Sequence, residues 1–150
     1  MDLCTGYGMG GTIVGQFLDE STEAIRVAAA VLDSPVVDPG GVAAQLVRDE
    51  GMARFLAGTV TALSSLRFDV HWARLDMVDA APGFELPILL YHGTADTTSP
   101  VERSDELAAV APDVTYERVD GGRHQQLWNL DPVRYQGVLE EFLAGLAVGT

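Results

Sequence analysis

Residues 86–100 of the chain read L-P-I-L-L-Y-H-G-T-A-D-T-T-S-P. The apolar run over residues 86–91 predicts a buried strand, and the polar stretch that follows predicts a loop that contains Asp96. Ser99 followed by Pro100 is typical of a helix start, with Ser99 as the N-cap residue. A strand, a loop and a helix in this order form one unit of a parallel α/β sheet, with Asp96 at the carboxyl end of the strand.

Two segments nearer the N-terminus also predict strands. Residues 1–5 read as the end of a strand, residues 6–11 (G-Y-G-M-G-G) as a glycine-rich turn, and residues 12–18 as a short helix. The small apolar residues of 25–32 predict a strand that is buried on both faces, as strands of parallel sheets are.

The C-terminal part completes the pattern. Residues 114–119 alternate between apolar and polar side chains and predict a fourth strand. A second glycine-bearing loop, residues 120–124, carries His124, and the last helix is predicted to begin at Asp131 and Pro132. Because strands alternate with helices, we expect a mostly parallel sheet of about four strands flanked by helices.

Residues 36–82 carry two or three helical patterns and are too long for a simple crossover between strands. We interpret them as a helical cap inserted into a single domain that spans residues 1–150. Four apolar residues of this segment have two interpretations, the lining of an acyl pocket under the cap or ordinary helix packing: Met52, Phe55, Leu56 and Leu63.

Composition narrows the classes of partner and cofactor. The chain has 150 residues, of which 47% are hydrophobic and 21% charged, and its net charge is −13. This charge argues against nucleic acid or an anionic membrane as partner, since both require a basic patch. The lone cysteine, Cys4, excludes an intramolecular disulfide and a cysteine-based zinc site. We expect no cofactor and no metal, and, without an apolar run of membrane-spanning length or a basic leader, a cytoplasmic location.

Three stretches together resemble a known family. G-Y-G-M-G-G (6–11) resembles the elbow G-x-S-M-G-G, whose serine sits on a strained strand-to-helix turn. Residues 87–100 resemble P-h-L-h-x-H-G-x-x-D-x-x-h-P, where h is apolar, and G-G-R-H (121–124) resembles G-x-G-H. The chain is similar to the C-terminal part of the α/β-hydrolases, in particular to bacterial serine esterases and serine aminopeptidase-like members, over nearly its whole length.

The resemblance implies roles for four residues. Asp96 corresponds to the catalytic acid, His124 to the catalytic base, and Gly8 to the position of the nucleophilic serine. The backbone N–H of Met9 corresponds to an oxyanion donor. The implied chemistry is transfer of an acyl group from a small ester or amide to water, without a cofactor.

The chain also departs from this family. Glycine at position 8 forms no acyl-enzyme, and loss of the nucleophile lowers kcat by about 10⁶ in measured triads. Arg123 replaces the glycine that usually precedes the histidine. The first half of the family's domain, with its second oxyanion donor, is absent from these 150 residues. We therefore expect a truncated hydrolase with little or no activity. The open sheet edge at Leu3–Thr5 would permit a homodimer or aggregation.

Two other functions stay open. One is an active hydrolase that uses another nucleophile or a water activated by His124. The other is a non-catalytic module that binds a small acyl ligand or a partner chain.

We expect structural roles for the remaining candidates: a buried, inert thiol for Cys4, a turn cap for Ser34, a turn-stabilising acid (or an alternative catalytic acid) for Asp33, packing or backbone bonding for His92, and core anchors for Trp128 and Tyr135.

Overall fold

The protein is described by a computed structural model over residues 2–49 and 54–148. Its sheet has four parallel strands in the order β1-β2-β3-β4. In chain order the strands are β1 (Asp2–Tyr7), β2 (Val27–Asp33), β3 (Ile88–Gly93) and β4 (Val114–Val119). The predicted parallel α/β sheet of four strands is thus confirmed.

Helices connect the strands and cover the sheet. Within the described residues the α-helices are α1 (Met9–Glu20), α2 (Pro39–Asp49), α3 (Arg54–Phe68), α4 (Met77–Ala80), α5 (Val101–Val110), α6 (Leu127–Leu130) and α7 (Pro132–Val148). Short 3₁₀ turns lie at Thr22–Arg26, Trp72–Leu75 and Ala81–Gly83. In the described ranges, no helix is both long enough and apolar enough to cross a bilayer.

The central strand β3 is buried along its whole length. Its side chains alternate between two apolar clusters, as the period of a strand requires. Ile88 and Leu90 belong to the first cluster, and Leu89 and Tyr91 to the second. The second cluster is closed by residues of α6 and α7: Leu127, Tyr135, Val138, Leu139 and Phe142. Burial on both faces explains why this stretch of sequence is almost continuously apolar.

The segment between β2 and β3 contributes to the main core at both of its ends. Val37, Met77 and Ala81 are buried in the first cluster, against Ile88 and Leu90. The interpretation of 36–82 as an inserted cap stays a prediction.

The apolar residues assigned to that cap are only partly described. Met52 and the side chains of Phe55 and Leu56 lie outside the described residues. The side chain of Leu63 is 58% exposed and is therefore not a core residue.

The turn between β1 and α1 is shorter than the glycine-rich turn predicted over residues 6–11. Strand β1 continues through Gly6 and Tyr7, which pair in parallel with Leu32 and Asp33 of β2. Because α1 begins at Met9, the turn is confined to Gly8. The strand lies at the edge of the sheet, as expected, with Leu3 42% exposed.

Ser99 and Trp128 do not take the structural roles expected of them. Ser99 is not the N-cap of α5, because Pro100 holds that position and the Ser99 hydroxyl donates to Pro35 O at 2.8 Å. Trp128 is not a core anchor, since its side chain is 44% exposed and touches Tyr135 only edge-on. Tyr135 is a core anchor, 8% exposed and stacked on Tyr91 with ring centroids 4.2 Å apart.

Candidate functional site

Gly8 forms the whole turn between β1 and α1. Its φ of +52° and ψ of −120° lie where residues with side chains are strained and glycine is not. The turn is held by backbone hydrogen bonds from Gly8 N to Asp33 O (3.1 Å) and from Val36 N to Gly8 O (3.0 Å). Met9 follows as the first residue of α1, so its N–H belongs to the helix turn whose N–H groups lack carbonyl partners within the helix.

Asp96 is fully buried and sits among four donors. Its Oδ1 accepts from Thr98 N (2.8 Å) and Ser99 N (2.9 Å). Its Oδ2 lies 2.7 Å from His124 Nδ1 and 3.2 Å from His92 Nε2. Burial raises the pKa of Asp96, but the hydrogen bonds from His92, Ser99, His124 and Thr98 outweigh it and hold the pKa at about 2. The Asp96 carboxylate therefore holds its own loop through Thr98 N and Ser99 N, and it also contacts His124.

His124 lies between Asp96 and Gly8. An ionised carboxylate only accepts hydrogen bonds, so the 2.7 Å contact places a proton on Nδ1 of His124. In the neutral ring, Nε2 then keeps its lone pair. A Cβ on residue 8 would stand 3.2 Å from that Nε2. The structure thus brings together the three residues that the sequence singled out in three separate loops.

His92 is a further member of the site that sequence reasoning missed in part. It is fully buried, and the expected backbone bond is present, with Nε2 3.0 Å from Ser99 O. The same Nε2 faces Asp96, and because both neighbours are acceptors, Nε2 carries the proton. Nδ1 lies 2.7 Å from Ser104 Oγ. His92 therefore binds the same oxygen of the buried carboxylate as the partly exposed His124.

Ser34 links the end of β2 to the loop after β4 that contains His124 (residues 120–126, the histidine loop). It does not cap its own turn as expected. It is fully buried with a φ of +48°. Its hydroxyl donates to Asp33 Oδ1 (2.8 Å) and accepts from Gln125 N (3.1 Å). Tyr135 donates to Asp33 Oδ2 (2.9 Å), and burial raises the pKa of Asp33. These contacts fit the structural role expected of Asp33.

The loop after β3 that contains Asp96 (residues 94–100, the acid loop) is joined to the histidine loop by hydrogen bonds. Ala95 N donates to Gly122 O (2.9 Å), and Gly121 N donates to the Thr94 hydroxyl (2.9 Å). Arg123 is exposed and its φ is not positive, so the backbone there does not require the glycine usual in the resembled family.

The remaining candidates are not part of this arrangement. Cys4, which we expected to be buried, is only half-buried against the first apolar cluster, and its thiol forms no disulfide. Among the described residues, no three His, Cys, Asp or Glu side chains lie close enough together to hold a metal ion.

The low pKa of Asp96 predicts a loss of stability in acid. Its pKa of about 2 in the folded chain lies below the ordinary 3.8, so folding favours the ionised form. This contributes about 2 kcal/mol, present in full above about pH 5 and lost as the pH falls through about 4 to about 2. We expect the difference in free energy of urea unfolding between the native chain and Asp96→Asn to shrink over that range. A difference that stays constant would contradict the prediction.

The comparisons with known proteins concern the fold. No family model matches the sequence, and no curated protein does. Solved structures do match. The esterase Pf2001 of Pyrococcus furiosus has a TM-score of 0.65 at 22% identity, over 95% of this chain and 52% of the esterase.

Two other solved structures match over the same share of this chain. MGS-MChE2, an α/β hydrolase enzyme from a sediment metagenome of the Mar Chica lagoon, has a TM-score of 0.64 at 18% identity, over 61% of its length. A monoacylglycerol lipase of Paleococcus ferrophilus has a TM-score of 0.62 at 20% identity, over 68% of its length. The chain therefore spans 52% to 68% of the length of these proteins, and it has part of the α/β-hydrolase fold, as predicted.

Proposed function

We propose that this chain carries a serine-hydrolase type of site for acyl transfer from small esters or amides to water, with the nucleophile position vacant at Gly8. The observation that carries the proposal is the placement of His124. Its Nδ1 lies 2.7 Å from Asp96 Oδ2, and its Nε2 lies 3.2 Å from where a Cβ of residue 8 would stand. This is the order of acid, base and nucleophile in a catalytic triad.

The chemistry follows from these positions once residue 8 carries a hydroxyl. The Oγ of residue 8 would give its proton to His124 Nε2 and form a bond to the acyl carbon, and the Met9 N–H would donate to the oxyanion. The imidazolium, held by Asp96, would then protonate the leaving alcohol or amine as its bond to the acyl carbon breaks. In the second half of the reaction, water would give a proton to His124 Nε2 and bond to the acyl carbon. The bond from Oγ to the acyl carbon would then break, and His124 would return the proton to Oγ as the acid leaves.

Glycine cannot begin this sequence, so we propose that the chain itself turns over esters weakly or not at all. The contact between Asp96 and His124 nevertheless supports the roles of acid and base that we propose for them. A cavity of about 450 Å³ lies beside the loop that contains Asp96 and is lined in part by Thr98, Ser99 and Val42, but Gly8, Asp96 and His124 do not line it.

The test is to restore the hydroxyl. We expect Gly8→Ser to hydrolyse p-nitrophenyl acetate and butyrate at least about tenfold faster than the native chain, and the gain to vanish when His124→Ala is added. Circular dichroism and size-exclusion chromatography establish that each variant is folded. No gain in a folded Gly8→Ser, or a gain that survives the loss of His124, would contradict the proposal.

The native chain provides the control for a different mechanism. Turnover by the native chain that His124→Ala abolishes would mean that His124 activates water or another nucleophile. Binding of an acyl ligand without turnover in any variant would favour the non-catalytic function.

A further inference from the structure

The space above Gly8 is already filled by another side chain. A Cβ built on Gly8 would overlap Nε2 of Gln125 and lie 3.4 Å from its Cδ. The same Cβ would lie 3.2 Å from His124 Nε2. The carboxamide of Gln125 thus stands beside the base, in the place that a nucleophile's side chain would take.

We infer that Gln125 is the residue that closes the nucleophile position, so that replacing Gly8 alone restores only part of the activity. The inference deepens the proposed function and rests on it. It assigns a role in the site to a residue outside the triad, one that controls access to the base and does not itself react.

The backbone of Gln125 fixes where its side chain begins. Gln125 has a φ of +53°, a conformation that residues with side chains adopt rarely and only where neighbours hold it. Its N–H donates to the hydroxyl of the fully buried Ser34 (3.1 Å). Ser34 adjoins Asp33, whose carbonyl accepts the N–H of Gly8. Gln125 and Gly8 are therefore both hydrogen-bonded to residues at the carboxyl end of β2.

The side chain of Gln125 differs from its backbone, because the carboxamide at its end can change rotamer. Gln125 is exposed, and the atoms nearest to residue 8 are the last atoms of its side chain, so the carboxamide can rotate away when residue 8 carries a side chain. It must do so each time the hydroxyl and His124 come together. We therefore expect Gln125 to slow the reaction of a restored serine without abolishing it.

The test measures how fast a restored Ser hydroxyl reacts with a fluorophosphonate, by mass spectrometry of the intact chain. In this reaction the Oγ–P bond forms, the P–F bond breaks, fluoride leaves and the proton passes to His124. We expect Gly8→Ser with Gln125→Ala to react at least about tenfold faster than Gly8→Ser alone, equivalent to about 1.4 kcal/mol in the barrier. The matched control is Gly8→Ser with Gln126→Ala, the adjacent exposed glutamine, which we expect to react at the rate of Gly8→Ser.

Each outcome decides the inference. Equal rates with and without Gln125 overturn it and leave the proposed function standing, because the serine still reacts. An equal gain in the Gln126 control also overturns it, since the effect is then not specific to Gln125. No reaction in any folded variant overturns both proposals. If Gln125→Ala fails to fold, Gln125→Gly replaces it, because glycine adopts the positive φ without strain.

Discussion

Replacing Asp96 by alanine is expected to lower the free energy of unfolding by about 3 kcal/mol. The carboxylate is fully buried and accepts from Thr98 N, Ser99 N, His92 Nε2 and His124 Nδ1. Alanine would leave these donors without their acceptor, and the donors of His92 and Ser99 lie in the interior, where water replaces the lost bonds poorly. Few single substitutions in a chain of this size cost as much.

The measurement is the free energy of unfolding in urea near neutral pH, monitored by circular dichroism. The matched control is Glu23→Ala, which removes an exposed carboxylate that pairs with Arg26 at 3.1 Å. Exposed pairs of this kind contribute under about 1 kcal/mol, so the control should stay close to the native chain. A loss of less than about 1 kcal/mol in Asp96→Ala would mean that the buried cluster around Asp96 does not form as described.

The second large effect is expected from Gly93→Ala. A Cβ on Gly93 would overlap the carbonyl of Gly122, the same carbonyl that accepts the N–H of Ala95. The atoms in the way are backbone, so the histidine loop itself has to move. We expect a loss of about 3 kcal/mol in the free energy of unfolding, at the upper end of overpacking effects, and a longer distance between His124 and Asp96.

The same substitution elsewhere provides the control. Gly137 lies within α7, and a Cβ there would meet nothing within 4 Å. Because alanine favours helix over glycine, Gly137→Ala should raise the free energy of unfolding by about 1 kcal/mol at most. If Gly93→Ala and Gly137→Ala shifted stability in the same direction, the close approach of the two loops would be refuted.

The sheet could be predicted from the sequence because its strands are defined by local patterns. The apolar run before Asp96 is a strand buried on both faces, and residues 114–117 of β4 alternate between apolar and polar side chains. The loops that carry Gly8, Asp96 and His124 could be singled out because each follows a strand, and parallel strands bring their carboxyl ends to one edge. The choice of these three residues within the loops came from the resemblance to the α/β-hydrolases.

The contacts between loops could not be predicted in this way. The contact of His92 with Asp96 and that of Gln125 with residue 8 depend on side-chain directions in loops, which have no periodicity to read. Trp128 failed as a core anchor for a related reason. A four-residue helix at a loop end gives too few positions to reveal which side faces the core, and the more deeply buried Tyr135 takes that place.

The protonation of the His124 ring tests the proposed site most directly. Nitrogen-15 NMR of the native chain can determine which ring nitrogen carries the proton. At a pH where the ring is neutral, we predict that Nδ1 carries the proton and donates it to Asp96, while Nε2, facing Gly8, is unprotonated. That result would support the proposed role of His124 as a base that faces residue 8. A neutral ring protonated on Nε2 would contradict the arrangement of Asp96 and His124, and with it the proposed function.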